Sequence, residues 1–374
     1  MSDIADLSKG IGISKDQLSA DGEPCILYGE LYTKYKSETI KEVISKTNID
    51  NTKLVKSKAN DVIIPCSGET AEEIATARCV LKDDILLGGD LNIIRLHGYD
   101  GSFMSYQLNG KRKYDIAKVA QGVSVVHLYG EHLKNIKTIN PSLNEQKKIA
   151  NLLSLLDERI STQNKVIEDL KKLKCAIIEK HYRQAKLHKY KICDLGVPFS
   201  VGSLSKEDLS EKGHECILYG ELFTTYDCVI NEIKSHTNKI ANMTLSQKRD
   251  LLFPSSTTVD AVSLISPSVI DIPNVVLGGD MFGIHIDKKF NAYYLSYYIN
   301  IITRKKLAIY AKGSTIIHLH YKDIAKAQLL LPDLCEQDRI AKCMMAEDDK
   351  IKVEEQLMTK LEEQKQYLLR QMFI

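Results

Sequence analysis

The sequence contains no tryptophan, no C-x-x-C pair and almost no net charge. It also lacks an apolar run near the roughly 20 residues of a membrane-spanning helix, and its first residues lack the basic and apolar regions of a secretory signal. We therefore expect a cytoplasmic protein. With 51 Lys+Arg against 49 Asp+Glu, the formal charge of +2 provides no overall basic field for nucleic acid.

The nine cysteines are scattered and form no compact cluster with histidine, so we expect reduced thiols rather than a structural zinc site. A phosphate-binding loop is not expected either, because Gly88 and Gly89 do not open a helix. The sequence therefore predicts no metal and no cofactor. Its 374 residues, 44% of them hydrophobic, are enough for two or three domains.

The sequence contains a long internal duplication. Residues 25–31 and 216–222 share the heptapeptide Cys-Ile-Leu-Tyr-Gly-Glu-Leu at an offset of 191. Further pairs of segments match in the same order, at 14–19 and 205–210, 87–90 and 277–280, 122–128 and 313–319, and 141–146 and 332–337. A repeat of this length indicates a duplicated domain rather than a solenoid unit, and two copies fill almost the whole chain.

The first part of each copy predicts an α+β domain of mixed β-structure with short helices. Helical segments are expected around residues 101–118 and, in the second copy, 292–310. The Gly88-Gly89-Asp90 segment predicts a hairpin turn between two strands. Strands of the first copy are expected between clusters of Gly, Asn, Asp and Ser, at residues 25–31, 61–65, 84–87, 92–96 and 123–128.

Each domain is followed by a helix-start signal and a long helical pattern. Ser142 with Glu145, and Asp333 with Glu336, have the spacing of a capping box just after a proline. An apolar seam with steps of three and four follows in both copies, at positions 153, 156, 160, 163, 167, 170, 174 and 177 and again 191 residues later. Five apolar residues flank the seam and are expected to widen its stripe, namely Leu152, Val166, Leu173, Leu357 and Leu369.

Two such helices in one chain are expected to pack on each other, although each could instead pack on its own domain. Antiparallel packing would place two similar domains at opposite ends of a rigid spacer, related by an approximate two-fold axis. The expected domains are residues 1–141 and 191–332, and the expected helices are residues 142–190 and 333–374.

This order of domain and helix, the Tyr-Gly-Glu-Leu segments and the Pro-x-Leu-x-Glu-Gln helix starts resemble the specificity subunit of type I restriction-modification systems. The resemblance covers essentially the whole chain. It implies two target recognition domains that each read one half of a bipartite double-stranded DNA site. It also implies that the helices fix the gap and dock two methyltransferase subunits, that a restriction and translocase subunit joins the complex, and that this chain carries no catalysis.

The resemblance places the residues around and after Tyr-Gly-Glu-Leu near the DNA, although the tyrosines could equally be core residues. These candidates are Tyr28, Thr33, Lys34, Tyr35 and Lys36 in the first copy and Tyr219, Thr224, Thr225 and Tyr226 in the second. Because the copies share this segment but differ in detail, we expect half-sites that are related in sequence without being identical.

Three other kinds of segment are candidates for DNA contacts. Basic triplets at corresponding places favour phosphate binding, although such triplets are often only solvated; they are Lys111, Arg112 and Lys113, and Arg304, Lys305 and Lys306. Hydroxyl residues after a strand could reach base edges or form a plain turn, at Ser67, Thr70, Ser256 and Thr257. Small polar residues after a glycine could make backbone contacts, at Ser124, Ser314 and Thr315.

Other functional patterns are weaker. His127 and His318 recur inside an apolar strand and are expected to be core histidines rather than ligands or bases. A DNA-modifying enzyme remains an alternative, but it would need a glycine-rich cofactor loop and an Asn/Asp-Pro-Pro-aromatic motif, and the sequence has neither. The other alternative is a coiled-coil adaptor with two protein-binding domains.

The near-zero total charge hides an uneven distribution. Residues 144–191 carry 12 basic and 6 acidic groups and residues 333–374 carry 7 and 10, an asymmetry that favours pairing of the helices. The domains are nearly neutral, with 18 basic and 19 acidic groups in residues 1–143 and 14 of each in residues 192–332. We therefore expect the isolated chain to bind DNA weakly and its partners to supply much of the positive surface.

Overall fold

The structure is a computed structural model that describes residues 1–122 and 125–373. The chain divides into two compact units, which we call the first unit (Met1–Val166 with Glu354–Ile374) and the second unit (Ile167–Val353). Each unit therefore combines one mixed β-domain with a segment of each of two long helices. No helix among the described residues is long and apolar enough to cross a membrane.

The domain of the first unit contains two five-stranded sheets and a separate strand pair. One sheet has the order Ala5–Lys9, Leu91–Leu96, Asp61–Pro65, Arg78–Val80, Thr39–Ile40. The other has the order Leu18–Ser19, Ser45–Thr47, Glu23–Ile26, Leu86–Leu87, Val55–Lys56. The strand pair joins Ser67–Gly68 to Val126–His127. The helices are Lys15–Gln17 (3-10), Glu30–Thr33, Ala71–Ile74, Gly101–Asn109, Lys113–Val119 and Gly130–Lys134.

The domain of the second unit repeats this topology. Its sheets have the orders Gly196–Ser200, Met281–Ile286, Asp250–Pro254, Ser268–Ile270, Val229–Ile230 and Leu209–Ser210, Ser235–Thr237, His214–Leu218, Val276–Gly278, Thr244–Leu245. The strand pair joins Ser256–Thr257 to Ile317–His318, and a further pair joins His188–Lys191 to Gln328–Leu331. The helices are Ile192–Asp194 and Lys206–Asp208 (3-10), Glu221–Thr224, Ala261–Leu264, Ala292–Tyr298, Ile299–Thr303 (π), Arg304–Ala308 and Tyr321–Ile324.

The central strand Asp61–Pro65 shows where the core of the first domain lies. All five of its residues are buried, as expected for a strand covered on both faces. Val62 and Ile64 pack in one apolar cluster with Met104, whereas Ile63 packs in another with Ile26. Since successive side chains of a strand point to opposite faces, the sheet separates a helical layer from the second sheet.

The hairpin expected at Gly88-Gly89-Asp90 is wrong. The strand before it, Leu86–Leu87, pairs in parallel with Cys25 and Ile26, and the strand after it, Leu91–Leu96, belongs to the other sheet. The segment instead carries the chain between sheets, with Asp90 at a φ of 56°. Local turn chemistry could not reveal this because both strands have distant partners.

The other expected elements of the domains are confirmed in part. The strand expected at residues 25–31 ends at Ile26, and a helix begins at Glu30. The strands expected at 84–87 and 123–128 are the two-residue strands Leu86–Leu87 and Val126–His127, while residues 123 and 124 lie outside the described residues. The helices expected at 101–118 and 292–310 are present, broken at Gly110 in the first domain and continued through a π-turn in the second.

The long helices are Leu143–Gln184, of 42 residues, and Leu334–Gln371, of 38. The Ser142 hydroxyl donates to Glu145 Oε2 at 3.1 Å, and the Glu145 N–H donates back to Ser142 Oγ at 3.4 Å. At the second helix, Asp333 Oδ1 accepts the Glu336 N–H at 3.0 Å. At about 1.5 Å per residue, the 42 residues of the first helix span about 63 Å.

The expectation that the long helices pack on each other is confirmed within each unit. In the first unit Gln163 Nε2 donates to Glu354 Oε2 at 2.5 Å, and these residues occupy the same position of the two copies. The helices run antiparallel there, since Asp157 lies before Gln163 in the first helix and pairs with Lys365, after Glu354 in the second. The alternative, in which a long helix packs on its own domain, also holds in part, because both helices pack against Phe103 of the first domain.

A buried glutamine anchors the start of each long helix to its domain. Gln146 Oε1 accepts the Asp100 N–H at 2.9 Å, and its Nε2 donates to the Pro141 carbonyl at 2.8 Å. Gln337 forms the same two bonds with Asn291 and Pro332, both at 2.9 Å. The last residue of the repeated Pro-x-Leu-x-Glu-Gln segment is therefore a structural clamp.

Candidate nucleic-acid interface

The glutamate of the repeated Tyr-Gly-Glu-Leu segment is buried and organises the turn that follows the strand. Glu30 Oε2 accepts the Leu27 N–H at 3.0 Å, and its Oε1 accepts hydrogen bonds from the Lys34 ammonium group at 2.6 Å and from the Ser45 hydroxyl. These bonds satisfy a carboxylate that would be costly to bury alone.

The second domain repeats this arrangement. Glu221 accepts the Leu218 N–H at 2.8 Å and the Ser235 hydroxyl. The shared heptapeptide therefore builds the same local fold in both domains.

The tyrosines of this region contribute to the cores. The hydroxyl of buried Tyr35 accepts the Ile44 N–H at 3.2 Å, and burial raises its pKa to about 12. Tyr226 accepts the Lys234 N–H at 3.2 Å, and burial raises its pKa as well. Tyr28 and Tyr219 are half-buried against the core clusters.

The polar candidates of the same segment have mixed environments. The Thr33 and Thr224 hydroxyls donate to carbonyls one turn earlier in their helices, at 2.7 and 3.2 Å. Lys34 is paired with Glu30, whereas Lys36 is exposed and Thr225 is half-exposed. Thr33, Lys34 and Thr224 are exposed as well, so four of these side chains are accessible to a ligand.

The hydroxyl candidates after the central strands have structural roles. Ser67 is buried and its hydroxyl donates to Asp90 at 3.1 Å, and Thr70 caps a helix by accepting the Glu73 N–H at 3.2 Å. In the second domain Ser256 is buried, and Thr257 Oγ1 accepts the Val259 N–H at 3.2 Å.

The first basic triplet is only partly exposed. Lys111 is exposed, Arg112 donates to Asp115 at 3.3 Å, and burial lowers the pKa of Lys113. Lys113 lines a cleft of about 280 Å³ with Glu72 and Arg370 among its walls.

In the second triplet, Arg304 donates to the Val262 carbonyl at 2.8 Å, which fixes the end of a short helix. Lys305 and Lys306 are exposed. One residue of each triplet therefore has a structural partner, and Lys111, Lys305 and Lys306 remain accessible.

The glycine before each small polar segment is required by the backbone. Gly122 and Gly313 have φ values of 130° and 120°, and an added Cβ would lie 2.0 Å from a carbonyl oxygen in both. Ser314 and Thr315 are exposed. Ser124 lies outside the described residues.

The expectation that His127 and His318 are core residues is wrong. In the first domain Val126 and Leu128 point inward, whereas His127 and Tyr129 face solvent with rings 6.2 Å apart. In the second domain His318 is half-exposed and stacks at 6.2 Å on exposed His320. The alternation of polar and apolar residues over four positions carried this signal, because alternate residues of a strand share a face.

These residues form one accessible surface per domain, which we call the two-strand surface. Its accessible side chains are His127 and Tyr129 in the first domain and His318 and His320 in the second, and the strand beside each histidine contributes a buried serine, Ser67 or Ser256. Ser67 is the strand partner of His127, and Ser256 is the partner of His318. In each domain the structure therefore pairs the hydroxyl segment that follows the central strand with the segment that contains His127 or His318.

Each unit also contains a buried Tyr-Asp-Lys group whose lysine comes from the long helix of the other copy. In the first unit Asp157 accepts the Tyr106 hydroxyl at 2.8 Å and pairs with Lys365 at 2.7 Å. Lys365 also pairs with Glu38 at 2.6 Å. Burial opposes the lysine charge, but the two carboxylates outweigh it and raise the pKa of Lys365.

The second unit has the same group with one carboxylate fewer. Asp348 accepts the Tyr297 hydroxyl at 2.5 Å and pairs with Lys174. Cys228 stands where the first copy has Glu38, since the carbonyl of each accepts the equivalent bonds, from Ser105 at Glu38 and from Ser296 at Cys228. The lysines that interrupted the apolar seam therefore fix the position of one helix against the other within each unit.

The apolar residues expected to widen the seam mostly face solvent. Leu152, Val166, Leu173 and Leu357 are exposed, so that expectation is wrong for them, and Leu369 is buried. Other large apolar side chains on the long helices are exposed as well, namely Leu143, Leu155, Leu334, Met345, Val353 and Tyr367. Among the residues that the structure describes, no three His, Cys, Asp or Glu side chains are placed to hold a metal ion.

A family model described as type I restriction modification DNA specificity domain matches residues 1–172 and 230–363. Two curated proteins of Methanocaldococcus jannaschii are similar over most of their length. The type I restriction enzyme MjaVIII specificity subunit is 24% identical over 98% of this chain and 90% of its own, and the putative MjaX specificity subunit is 25% identical over 77% and 71%.

Two solved structures share the fold. The S subunit of a type I restriction-modification system from M. genitalium matches with a TM-score of 0.63 and 17% identity, over 100% of this chain and 94% of its own. A chain from a structural study of complex assembly and conformational transition of the type I R-M system matches with a TM-score of 0.59 and 13% identity, over 98% and 95%.

Proposed function

The chain belongs to the type I restriction-modification DNA specificity family, and we propose that each of its two domains reads one half of a bipartite site in double-stranded DNA. A repeated scaffold with different surface chemistry carries this proposal. Both units keep the strand order and the glutamate that accepts a strand N–H and a serine hydroxyl, whereas Tyr129 of the first two-strand surface is replaced by His320 in the second. Two half-sites of different sequence require such a difference between otherwise similar domains.

The recognition domains in this proposal are residues 1–141 and 191–332, and residues 142–190 and 333–374 are the spacer helices that fix the unread gap. Exposed side chains are the preferred phosphate and backbone contacts: Lys36, Lys111, Lys305, Lys306, Ser314 and Thr315. Side chains whose polar atoms already have partners within the domain would position the loops instead. Examples are Tyr35, Tyr226 and Arg304.

The long helices dock two modification methyltransferase subunits in this proposal, and a restriction and translocase subunit completes the complex. The exposed apolar residues support a docking role, because Leu152, Val166 and Leu173 are spaced by multiples of seven and share one helix face. The chain itself would act in the cytoplasm and perform no catalysis, leaving methyl transfer and cleavage to its partners.

The decisive experiment is co-expression with a type I modification methyltransferase subunit from the same host, followed by sequencing of methylated DNA. We expect one bipartite motif with related but non-identical halves. The reconstituted complex should bind a duplex carrying that motif at least about 100-fold more tightly than the isolated chain, because the nearly neutral domains neutralise few phosphates.

Three outcomes would contradict these claims separately. Half-sites with no shared bases would refute their relatedness. Absence of a motif and of DNA affinity, with or without partners, would favour a protein-binding adaptor. Saturable binding of S-adenosylmethionine by the purified chain alone would show that the chain carries part of the enzyme chemistry.

A further inference from the structure

The two-strand surfaces have the same backbone and different charge. In the first domain Gln121 and His127 exchange backbone hydrogen bonds of 2.9 and 2.7 Å, and in the second Lys312 and His318 exchange bonds of 2.9 and 2.7 Å. The ring pairs also match, at 6.2 Å in both. The side chains at corresponding positions can therefore be compared directly.

The groups beside the two surfaces differ: in the first domain Lys9 lies 5.3 Å over the Tyr129 ring and His132 lies 5.6 Å from it, whereas cationic groups line a cleft in the second. A cleft of about 360 Å³ is lined by Lys312, Gly313, His318, His320, Lys322 and Asp323. The first domain has Gln121, Tyr129 and Glu131 where the second has Lys312, His320 and Lys322. The charge is reversed between the domains at one of these positions, where the first has Glu131 and the second has Lys322.

The carboxylates around the cleft already have hydrogen-bond or ion-pair partners within the domain. Asp323 pairs with Lys312 at 2.6 Å and accepts the His320 N–H at 3.1 Å, and both groups lower its pKa, Lys312 the more. Asp260, at the start of the helix packed on the strand of His318, accepts the N–H groups of Val262 and Ser263. Lys322 and the two imidazoles are left facing the cleft.

A phosphodiester accepts hydrogen bonds from imidazolium and ammonium groups together, so the two stacked rings and Lys322 offer a set of donors suited to one phosphate. Gly313 brings the exposed segment of Ser314 and Thr315 beside the same cleft.

We propose that His318, His320 and Lys322 form a phosphate-binding site of the second recognition domain that holds one DNA phosphodiester when the histidines are protonated. The proposal rests on the proposed function, since it assigns a DNA contact within it. The first domain has Tyr129 and Glu131 at these positions and Lys9 over the Tyr129 ring, so its contact there would use no second imidazole. The two half-sites are therefore bound with different dependence on pH and salt.

The test measures affinity of the reconstituted complex with the methyltransferase subunit for a duplex carrying its methylated motif. At pH 6.0 the H318Q/H320Q variant should bind about tenfold more weakly than wild type, and the slope of log affinity against log salt should fall by about 1 to 2. At pH 8.0, where histidines are largely neutral, the difference should be less than about twofold. H320Y, which introduces the residue of the first domain and keeps a stacked ring, should show about half the change in slope.

The matched control is H127Q in the first domain, which should leave the pH dependence of binding unchanged. Wild-type dependence on pH and salt in the H318Q/H320Q complex, or the same loss in H127Q, would overturn the inference while specific binding itself upholds the proposed function. No specific binding by any complex would overturn both. If 10 mM inorganic phosphate shifts the imidazole resonances of His318 and His320 while their substitution leaves duplex binding unchanged, the site binds free phosphate rather than DNA, and the inference is wrong.

Discussion

The buried lysines of the two units differ in the charge that surrounds them. Lys365 contacts the carboxylates of Glu38 and Asp157, all three nearly inaccessible, whereas Lys174 contacts one carboxylate among the described residues, that of Asp348, which is 29% exposed. The tyrosine partner is common to both. Duplication therefore preserved the contact that fixes the helices within each unit, while the surrounding charge diverged.

The largest effect is expected from removing the lysine of the first unit. K365M keeps side-chain length but leaves two buried carboxylates without their cation, and should destabilise the first unit by about 3–5 kcal/mol. Hydrogen exchange followed by mass spectrometry should show faster exchange in the segment of residues 143–166 than in wild type. Equal protection of that segment in both proteins would show that the lysine contributes little.

Removal of the equivalent lysine in the second unit should lower the stability of that unit by less. K174M leaves one partly exposed carboxylate, which still accepts the Tyr297 hydroxyl, and should cost about 1–3 kcal/mol. The loss of protection should be confined to the second unit, in residues 167–184 and 334–353. A loss of stability equal to that of K365M would contradict this expectation, because it would mean that the additional carboxylate beside Lys365 contributes nothing.

A smaller and pH-dependent difference separates two equivalent ion pairs. Arg95 pairs with Asp61 at 2.6 Å, and His285 pairs with Asp250 at 2.6 Å. Burial raises the pKa of Asp250, so this carboxyl stabilises the folded second unit most at low pH, and its contribution is lost as the pH rises through the folded-state pKa.

The imidazole of His285 pairs with Asp250 only while protonated, whereas a guanidinium stays charged. H285R should therefore stabilise the second unit by about 1 kcal/mol at pH 8 and by less at pH 5.5. Denaturant unfolding followed by circular dichroism at both pH values measures this difference. R95H is the reciprocal control and should lower stability at pH 8; if H285R is equally destabilising at both pH values, the histidine is needed for packing on Phe199 instead.

The smallest effects are expected from the exposed lysines of the basic triplets. K111A and K305A should each weaken binding of the complex to its duplex about threefold and lower the salt slope by about 0.9, because each removes one phosphate contact. R304A should instead reduce stability, since its guanidinium holds two carbonyls. K212A, at an exposed turn of the second domain, is the control, and an equal loss of affinity there would remove the special role of the triplets.

Much of the fold could be predicted because its signals are local. Ser142 with Glu145 marks a helix start through contacts within four residues, and the seam from 153 to 177 repeats with a fixed spacing. The chain crossing at Gly88 could not be predicted, because the strands around it have partners more than 25 residues away. Lys174 and Lys365 were visible as interruptions of the seam, but their carboxylate partners lie in distant segments.

The candidate site was predicted less well for a related reason. Tyr35, Tyr226 and Ser67 are polar residues in the right segments, yet their hydroxyls bond within the domain. The exposure of His127 could have been predicted from the alternation of residues 126–129, which extends beyond the two residues of the strand itself.

The glutamine clamps have a consequence for how such a protein changes over evolutionary time. Gln146 and Gln337 bond only to main-chain groups of their domains, at Asp100 with Pro141 and at Asn291 with Pro332. Main-chain groups are the same whatever side chains a domain carries. A domain can therefore accumulate substitutions on its surface, or be replaced by recombination with another, and still be seated on its helix by the same two bonds.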